Sequence, residues 1–183
     1  MSSPQPWKIL AQQDVSPSPH FPLEKRSFQK PNGQLVEDFY ITTLADSVNI
    51  VPVTSEGKVV MIRMYKQGID RVVIQFPAGR CEPTENDLAQ VAIRELEEET
   101  GIKVSAEQLT FIRQQAVMTT KSSEMIHLYL ARDVQFNSTQ KLDEHEEIEV
   151  LLLSPVEVDQ LIENGEIVEA SVIADWYLVK NLL

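Results

Sequence analysis

The sequence predicts an α/β fold, a sandwich of helices and sheet that carries a small antiparallel sheet at its N-terminus. Three observations support this prediction. Short β-rich runs alternate with two or three helical patterns along most of the chain. Asn32-Gly33 lies between two β-rich runs, which is a strong hairpin signal. Hydrophobic residues make up 43% of the 183 residues, enough to fill a core.

The first 45 residues are expected to form the small sheet. Residues 1–25 are rich in Pro, Ser and Gln and leave room for one short strand at residues 7–10. Residues 27–30 and 35–41 then flank Pro31-Asn32-Gly33 as the two strands of a hairpin. We therefore divide the chain into an N-terminal β region, residues 1–45, and a main domain, residues 46–183.

The main domain shows an alternation of strand and helix signals. A turn at Ser55-Glu56-Gly57 joins its first two strands, and Gly101 is a natural end for its first helix. Ser154 and Pro155 begin a helix as cap and first-turn residue, and the last helix follows from apolar residues at helical spacing. In order, the predicted elements are strands 47–54, 58–65 and 71–76, a helix at 88–100, strands 111–117, 125–131 and 148–153, and helices at 155–164 and 168–182.

The chain is strongly acidic, with 28 acidic and 16 basic residues and a net charge of -12. Such a surface repels phosphate backbones, so nucleic acids and anionic membranes are poor partners. A small phosphorylated substrate stays possible, because a bound cation reverses the local field. The single cysteine, Cys81, excludes an internal disulfide and suits a reducing compartment. With neither a secretion signal nor a membrane-spanning apolar run in the sequence, the expected location is the cytoplasm.

Three glutamates share one face of the predicted helix 88–100. Glu95, Glu98 and Glu99 stand at i, i+3 and i+4, whereas Glu97 points away toward solvent. Carboxylates on one face repel one another, and oxygen-rich clusters are what hard cations such as magnesium and manganese bind. A solvated acidic face is the alternative, and for these residues taken alone it is the favoured interpretation.

The wider context of these glutamates resembles the Nudix box. The box has a glycine, five residues, a glutamate, seven residues, and then Arg-Glu-aliphatic-x-Glu-Glu-x-Gly-aliphatic. Here eight residues separate Glu85 from Arg94, and the extra residue is expected in the loop before Leu88. The matching positions are Gly79, Glu85, Arg94, Glu95, Leu96, Glu98, Glu99, Gly101 and Ile102.

The resemblance implies a helix–sheet–helix sandwich with a mixed sheet and a role for each box residue. Arg94 matches an arginine that orients the carboxylates. Glu85 matches the outer glutamate of the box, although a helix-entry charge is its simpler interpretation. The implied cofactor is Mg2+, with Mn2+ as a substitute. The residues that match metal ligands are the carbonyl of Ala78 and the carboxylates of Glu95, Glu98 and Glu99.

Segments outside the box resemble the family branch that hydrolyses ADP-ribose and nucleoside diphosphate sugars. Phe76-Pro77-Ala78-Gly79 is similar to the Leu-Pro-Ala-Gly that precedes the box in that branch, and residues 166–171 are similar to a late helix start. Residues 62–66, Ile-Arg-Met-Tyr-Lys, resemble its Val-Arg-Gln-Tyr-Arg strand. The resemblance implies that Lys66 contacts the substrate phosphates, with Arg63 as an alternative.

Two segments after the box carry further acidic candidates. In the loop 118–124, Glu124 matches an acidic residue that helps to activate water, so it is the first candidate for the general base and Glu98 the second. This loop lacks the Pro-Gly that is common in ADP-ribose enzymes, which favours tolerance of several sugars. The run 143–147 is most simply a solvated loop, with an auxiliary role open.

The expected function is metal-dependent hydrolysis of the pyrophosphate bond in nucleoside diphosphate sugars or ADP-ribose, giving a nucleoside monophosphate and a sugar phosphate. Two alternatives stay open: hydrolysis of nucleoside triphosphates or dinucleoside polyphosphates, and a non-catalytic nucleotide-binding regulator. Phe28 and Tyr40 are candidate stacking partners for the base, although ordinary core is the simpler interpretation of each. The N-terminal sheet, too small to be stable alone, is expected to pair two copies into a homodimer.

Overall fold

The computed structural model describes residues 3–82 and 84–183, which fall into two compact units. The first unit comprises the chain up to Ala45 together with Ala116–Met125. The second comprises Asp46–Gln115 and Ile126–Leu183. The N-terminal unit thus includes a segment, 116–125, that sequence order alone assigns to the main domain.

A three-stranded antiparallel sheet forms the first unit. Its strands β1 (Lys8–Asp14), β2 (Leu23–Gln29) and β3 (Leu35–Thr42) stand in sequence order. The β2–β3 turn is closed by a hydrogen bond from the N–H of Gly33 to the carbonyl of Lys30, 2.8 Å. Gly33 has a φ of +87°, which only glycine adopts without strain, so the predicted Asn-Gly hairpin is confirmed.

The second unit is built on a seven-stranded sheet with three helices. The strand order is β10-β5-β4-β9-β8, while β6 pairs with β5 and β7 pairs with β4. The pairing of β4 with β9 is parallel, and those of β4 with β5 and β7 are antiparallel, so the sheet is mixed. The elements are β4 (Ser47–Thr54), β5 (Val59–Lys66), β6 (Arg71–Gln75), β7 (Ala78–Arg80), α1 (Leu88–Thr100), β8 (Leu109–Ala116), β9 (Met125–Val134), β10 (Ile148–Leu153), α2 (Pro155–Glu163) and α3 (Ala170–Val179).

The sheet has a hydrophobic core on each face. Side chains of a strand alternate between the faces, and β4 shows this clearly. Val48 and Ile50 pack with α1 through residues such as Leu96, whereas Val51 packs with α2 and α3 through residues such as Trp176. A strand covered on both faces is mostly apolar, as the buried run of β4 is, and its buried Asn49 is satisfied by donating to Oδ2 of Asp175, 2.6 Å.

Local signals set the ends of the helices. Asp87 caps α1 by accepting from the N–H of Ala89, 3.0 Å, and Gly101 ends it with a φ of 73°. Ser154 and Glu157 form a capping box at the start of α2, with Pro155 in the first turn. None of the helices in the described part of the chain is long and apolar enough to cross a bilayer.

β1 runs on to Asp14 and β2 begins at Leu23, so both are longer than the strands predicted at 7–10 and 27–30. A further difference from the predicted elements lies at residues 77–80. The sequence predicts that Pro77-Ala78-Gly79 only ends a strand, but Ala78–Arg80 forms β7. Ala78 and Gly79 pair with Asn49 and Val48 of β4, and the carbonyl of Pro77 accepts from the N–H of Ile50, 2.9 Å. Backbone pairing with a central strand thus overrides the turn character of Pro and Gly.

Candidate active site

Gly79 sits directly beneath a carboxylate of α1. A Cβ atom at this position would lie 1.8 Å from Cδ and 1.9 Å from Oε1 of Glu95. Glycine is therefore required for close approach, because any other side chain would displace that carboxylate. The neighbouring Ala78 donates its N–H to Oε2 of Glu99, 2.8 Å. Strand β7 thus lies against two of the three glutamates that share a face of α1, the box helix.

Arg94 ties the carboxylates of the site together. Its Nε and Nη2 atoms donate to the two oxygens of Glu85, at 2.9 and 3.1 Å. Its Nη1 atom lies 2.8 Å from Oε2 of Glu98 and 2.9 Å from Oε1 of Glu95. A bidentate pair fixes the plane of the guanidinium, so one cation orients three carboxylates. The box therefore keeps Glu85 in contact with Arg94 despite its eight-residue spacing.

Burial raises the pKa values of two helix glutamates. The pKa of Glu99, whose side chain is almost fully buried, rises to about 8 because of desolvation, against the opposing hydrogen bond from Ala78. The pKa of Glu95 rises to about 7, again through desolvation, although Arg94 opposes the shift. The one guanidinium therefore does not compensate the negative charge that these carboxylates carry when ionised.

The donor set fits a hard divalent cation. Buried carboxylate oxygens with raised pKa values gain most from a nearby positive charge, and oxygen ligands suit magnesium and manganese. In residues 3–82 and 84–183, however, no three acidic, imidazole or thiol side chains yet converge on one point as a ready set of ligands. The contacts explain this arrangement, because Arg94 holds Glu98 and Glu95 while Glu99 is turned to the N–H of Ala78.

Glu146 is a functional candidate that the sequence pattern did not single out within the acidic run 143–147. It acts electrostatically on both Glu95 and Glu99 and raises the pKa of each. The N–H of Asp143 donates to Oε2 of Glu146, 3.1 Å, and so holds this carboxylate in place. The surrounding cleft has a volume of about 440 Å³ and is lined by Met64, Tyr65, Gln67, Asp143, Glu144, His145, Glu146 and Glu147. The run 143–147 therefore lines a cleft with the end of β5, and the charge of Glu146 acts on the glutamates of α1, which its composition alone does not indicate.

The two candidate phosphate-binding residues lie on opposite faces of β5. Its continuous pairing with β6 and β10 makes residues alternate, so Lys66 shares a face with Val60, which packs with α1. Lys66 lowers the pKa of Glu99 through its charge. Arg63 lies on the other face and pairs with Glu149 of β10, at 2.5 Å. The geometry therefore favours Lys66 for a role beside the box helix.

The remaining predicted site residues belong to the first unit. Phe28 lies in a row of rings, with its centroid 6.1 Å from that of Trp7 and 5.6 Å from that of Phe39. Tyr40 is exposed, at 44%. The N–H of Glu124 donates to Oγ of Ser122, 3.1 Å, within the 116–125 segment. Their predicted roles in base stacking and water activation stay predictions.

Comparison with known proteins identifies a family for this arrangement. Residues 43–176 match the NUDIX domain. The chain is 29% identical over 164 residues to the ADP-ribose pyrophosphatase of Bacillus subtilis (strain 168), an alignment that covers 89% of this chain and 86% of that protein. It is 32% identical over 158 residues to the methanol dehydrogenase activator of Bacillus methanolicus, covering 85% and 83% of the two chains.

A solved structure extends the likeness to the fold. The crystal structure of an ADP compounds hydrolase aligns with a TM-score of 0.86 at 25% identity, covering 100% of this chain and 97% of that one. The predicted α/β sandwich with a mixed sheet and a small antiparallel sheet is thereby confirmed.

Proposed function

Because the chain belongs to the Nudix family, we propose that it hydrolyses the pyrophosphate bond of ADP-ribose and related nucleoside diphosphate sugars. The products are a nucleoside monophosphate and a sugar phosphate. The names of the Bacillus subtilis relative and of the structural neighbour support ADP-containing substrates. The observation that carries the proposal is the packing of Glu95 over Gly79, with Arg94 holding Glu85 and Glu98 beside it.

The residues proposed to hold a divalent cation are the carboxylates of Glu95, Glu98 and Glu99 and the carbonyl of Ala78. Magnesium is the proposed ion, with manganese as a substitute, because all four ligands are hard oxygen donors. When bound, the cation offsets the charge of the pyrophosphate and lowers the pKa of water at the site.

The charged side chains of the candidate site have separate tasks in this proposal. Arg94 keeps Glu85, Glu95 and Glu98 in fixed positions, so the carboxylates need little reorganisation when substrate binds. Lys66 contributes positive charge next to Glu99, where a phosphate oxygen can accept a hydrogen bond from its ammonium group. The acidic surroundings otherwise repel the substrate phosphates.

We propose Glu146 as the general base. Its charge raises the pKa values of Glu95 and Glu99, which puts it within electrostatic range of that helix face, and the N–H of Asp143 orients its carboxylate. In this position it is able to accept the proton of the water that attacks the pyrophosphate. Glu98 is a weaker candidate because its carboxylate already pairs with Arg94, and Glu124 stays a candidate on the family resemblance alone.

We further propose a homodimer that forms through the first unit. Strand β1 is exposed along its whole length, and apolar side chains on the unit reach solvent: Trp7, Ile9, Leu10, Leu35 and Tyr40. A small isolated sheet is marginally stable, and an exposed apolar surface often marks an interface. A second copy of the chain would cover this surface. The single cysteine and the net charge of -12 fit a cytoplasmic protein that does not bind nucleic acid.

A substrate panel tests the function. Catalytic efficiencies are measured with magnesium on ADP-ribose, ADP-glucose, GDP-mannose and ATP, with products separated by chromatography. We expect a nucleoside monophosphate and a sugar phosphate from the diphosphate sugars. A preference for ATP of more than about tenfold, or about 1.4 kcal/mol of transition-state binding, would refute the assignment in favour of triphosphate hydrolysis. No turnover of any compound would favour a binding role instead.

The base assignment has its own test within the same assay. Glu146→Gln should lower kcat by about a hundredfold or more, because the amide has the same shape but accepts no proton. Glu124→Gln serves as the matched comparison. If Glu124→Gln is slow while Glu146→Gln keeps the wild-type rate, the base is Glu124 and the cleft assignment is wrong.

A further inference from the structure

The C-terminal end of α1 is covered by one short segment, residues 137–141, which we call the capping segment. The last carbonyls of a helix lack partners within it and need donors from elsewhere. Ser138 donates its N–H to the carbonyl of Gly101, 2.9 Å, and Lys141 donates its N–H to that of Glu98, 2.9 Å. The side chain of Gln140 donates to the carbonyl of Glu99, 2.7 Å. The capping segment is therefore fixed to the very residues that carry the site.

Glu97 anchors the capping segment through its side chain. Its Oε1 atom accepts hydrogen bonds from Oγ of Ser138, 2.9 Å, and from Nζ of Lys141, 2.8 Å. Lys103 lies near its other oxygen, with Nζ at 3.9 Å. The side chain of Glu97 is only 15% exposed, so the expectation that it points to solvent is wrong. Helical spacing does place Glu97 away from the face that carries Glu95, Glu98 and Glu99. On that other side of the helix, the capping segment covers it.

The capping segment leads directly into the acidic run 143–147, the acidic loop that lines the cleft. Asp143 follows Lys141 by two residues, and its N–H holds the carboxylate of Glu146. Glu146 in turn acts on Glu95 and Glu99. A short path of hydrogen bonds and chain therefore runs from Glu97 to Glu146, whose carboxylate is within electrostatic range of Glu95 and Glu99.

We propose that Glu97 is a positioning residue for the reaction. By holding Ser138 and Lys141, it fixes the start of the acidic loop so that Glu146 faces Glu95 and Glu99. This role rests on the proposed function, in which Glu146 accepts the proton of water. Glu97 occupies a position of the box that the motif leaves free, so the motif itself assigns it no task.

The test compares Glu97→Ala and Lys141→Met with Lys103→Met as the matched control. Both lysines neighbour Glu97 and have similar exposure, 58% for Lys141 and 66% for Lys103, but only Lys141 belongs to the capping segment. With magnesium present, Glu97→Ala and Lys141→Met should lower kcat on ADP-ribose by about tenfold or more, because small displacements of a reacting group are costly. KM should stay within about twofold, and Lys103→Met should match the wild type.

A second measurement separates positioning from general damage to the fold. In a Glu146→Gln background, Glu97→Ala should cause little further loss, because the group that it positions is gone. An equal loss in both backgrounds, a wild-type rate for Glu97→Ala or a wild-type rate for Glu146→Gln would each overturn the proposal.

Amide hydrogen exchange tests the anchoring without turnover. The N–H groups of Ser138 and Lys141 should exchange faster in Glu97→Ala than in the wild type, and at the wild-type rate in Lys103→Met. Unchanged exchange in Glu97→Ala would overturn the proposal even if the enzyme is active. A wild type that hydrolyses no diphosphate compound would refute the proposed function, while the exchange result would still decide whether Glu97 holds the capping segment.

Discussion

Gly79→Ala is the change that tests the architecture of the site most directly. The added Cβ would stand 1.8 Å from Cδ of Glu95, whereas ordinary contact begins at 3.4 Å. The carboxyl group of Glu95 must therefore move by about 1.6 Å, the difference between these distances. Moving a reacting group by about 1 Å can cost a hundredfold in rate, so we expect kcat/KM to fall by about a hundredfold, or about 2.7 kcal/mol.

The same substitution should leave the fold intact. The φ of Gly79 lies outside the left-handed range, so alanine fits the backbone, and the atoms that the Cβ meets belong to the end of one side chain and not to the backbone. Alanine restricts the unfolded chain more than glycine does, and this stabilises the folded state by about 0.4–1 kcal/mol where alanine fits the backbone. That gain offsets part of the cost of the crowded contact with Glu95. We therefore expect the free energy of unfolding to change by less than about 1 kcal/mol.

The assay is a double-mutant cycle with Glu95→Ala, read by steady-state kinetics with magnesium and by thermal unfolding. Without the carboxylate of Glu95, a Cβ at position 79 has nothing to displace, so Gly79→Ala should change the remaining rate by less than about twofold. If Gly79→Ala keeps the wild-type rate, or lowers it equally in both backgrounds, the close approach of Glu95 is not what requires glycine here.

Four further outcomes are expected. Excess EDTA should abolish turnover and added magnesium or manganese restore it; full activity after metal stripping would contradict the cation assignment. Glu99→Gln should lower kcat by about a hundredfold, because it removes the charge of a ligand at constant volume, and it should raise the Tm of the metal-free protein above about pH 8, where the buried wild-type carboxyl ionises; a wild-type rate would exclude Glu99 as a ligand. Burial raises the pKa of Asp175 above 3.8, so the folded state binds more protons than the unfolded one and the wild type should lose stability relative to Asp175→Asn as pH rises above about 4. If the free energies of unfolding of the two proteins change with pH in the same way from about pH 4 to 7, this prediction is wrong. Sedimentation should give a dimer mass that Leu10→Asp reduces to that of a monomer; a monomeric, fully active wild type would refute the dimer.

The elements that the sequence predicts well are those whose signals are local. The hairpin around Gly33 follows from a dipeptide that adopts positive φ, and α2 follows from a capping residue and a first-turn proline. The face of α1 that carries Glu95 and Glu99 follows from helical spacing alone. In each case the decisive residues lie within a few positions of one another, so no knowledge of the tertiary structure is needed.

The parts of the site that the sequence does not predict depend on contacts between distant segments. Spacing gives the direction in which Glu97 leaves the helix, but only the tertiary fold shows that residues 138–141 cover it. Glu146 is likewise one of several acids in a loop, and its nearness to the box helix follows from the path of the capping segment. Strand β7 is a third case, since its pairing partner β4 begins about thirty residues earlier.

The balance of charges in the candidate site bears directly on how it would bind a pyrophosphate. Arg94 is shared among Glu85, Glu95 and Glu98, while the charge of Glu99 is offset by the N–H of Ala78 and by the charge of Lys66. Burial makes ionisation of Glu95 and Glu99 costly, as their raised pKa values indicate. A pyrophosphate would add further negative charge to this site, and Lys66 alone does not balance it. Substrate binding should therefore be weak without a divalent cation, and titration calorimetry with a non-hydrolysable ADP-ribose analogue, with and without magnesium, measures that coupling directly. Equal affinity in both conditions would show that the chain's own residues suffice to hold the phosphates.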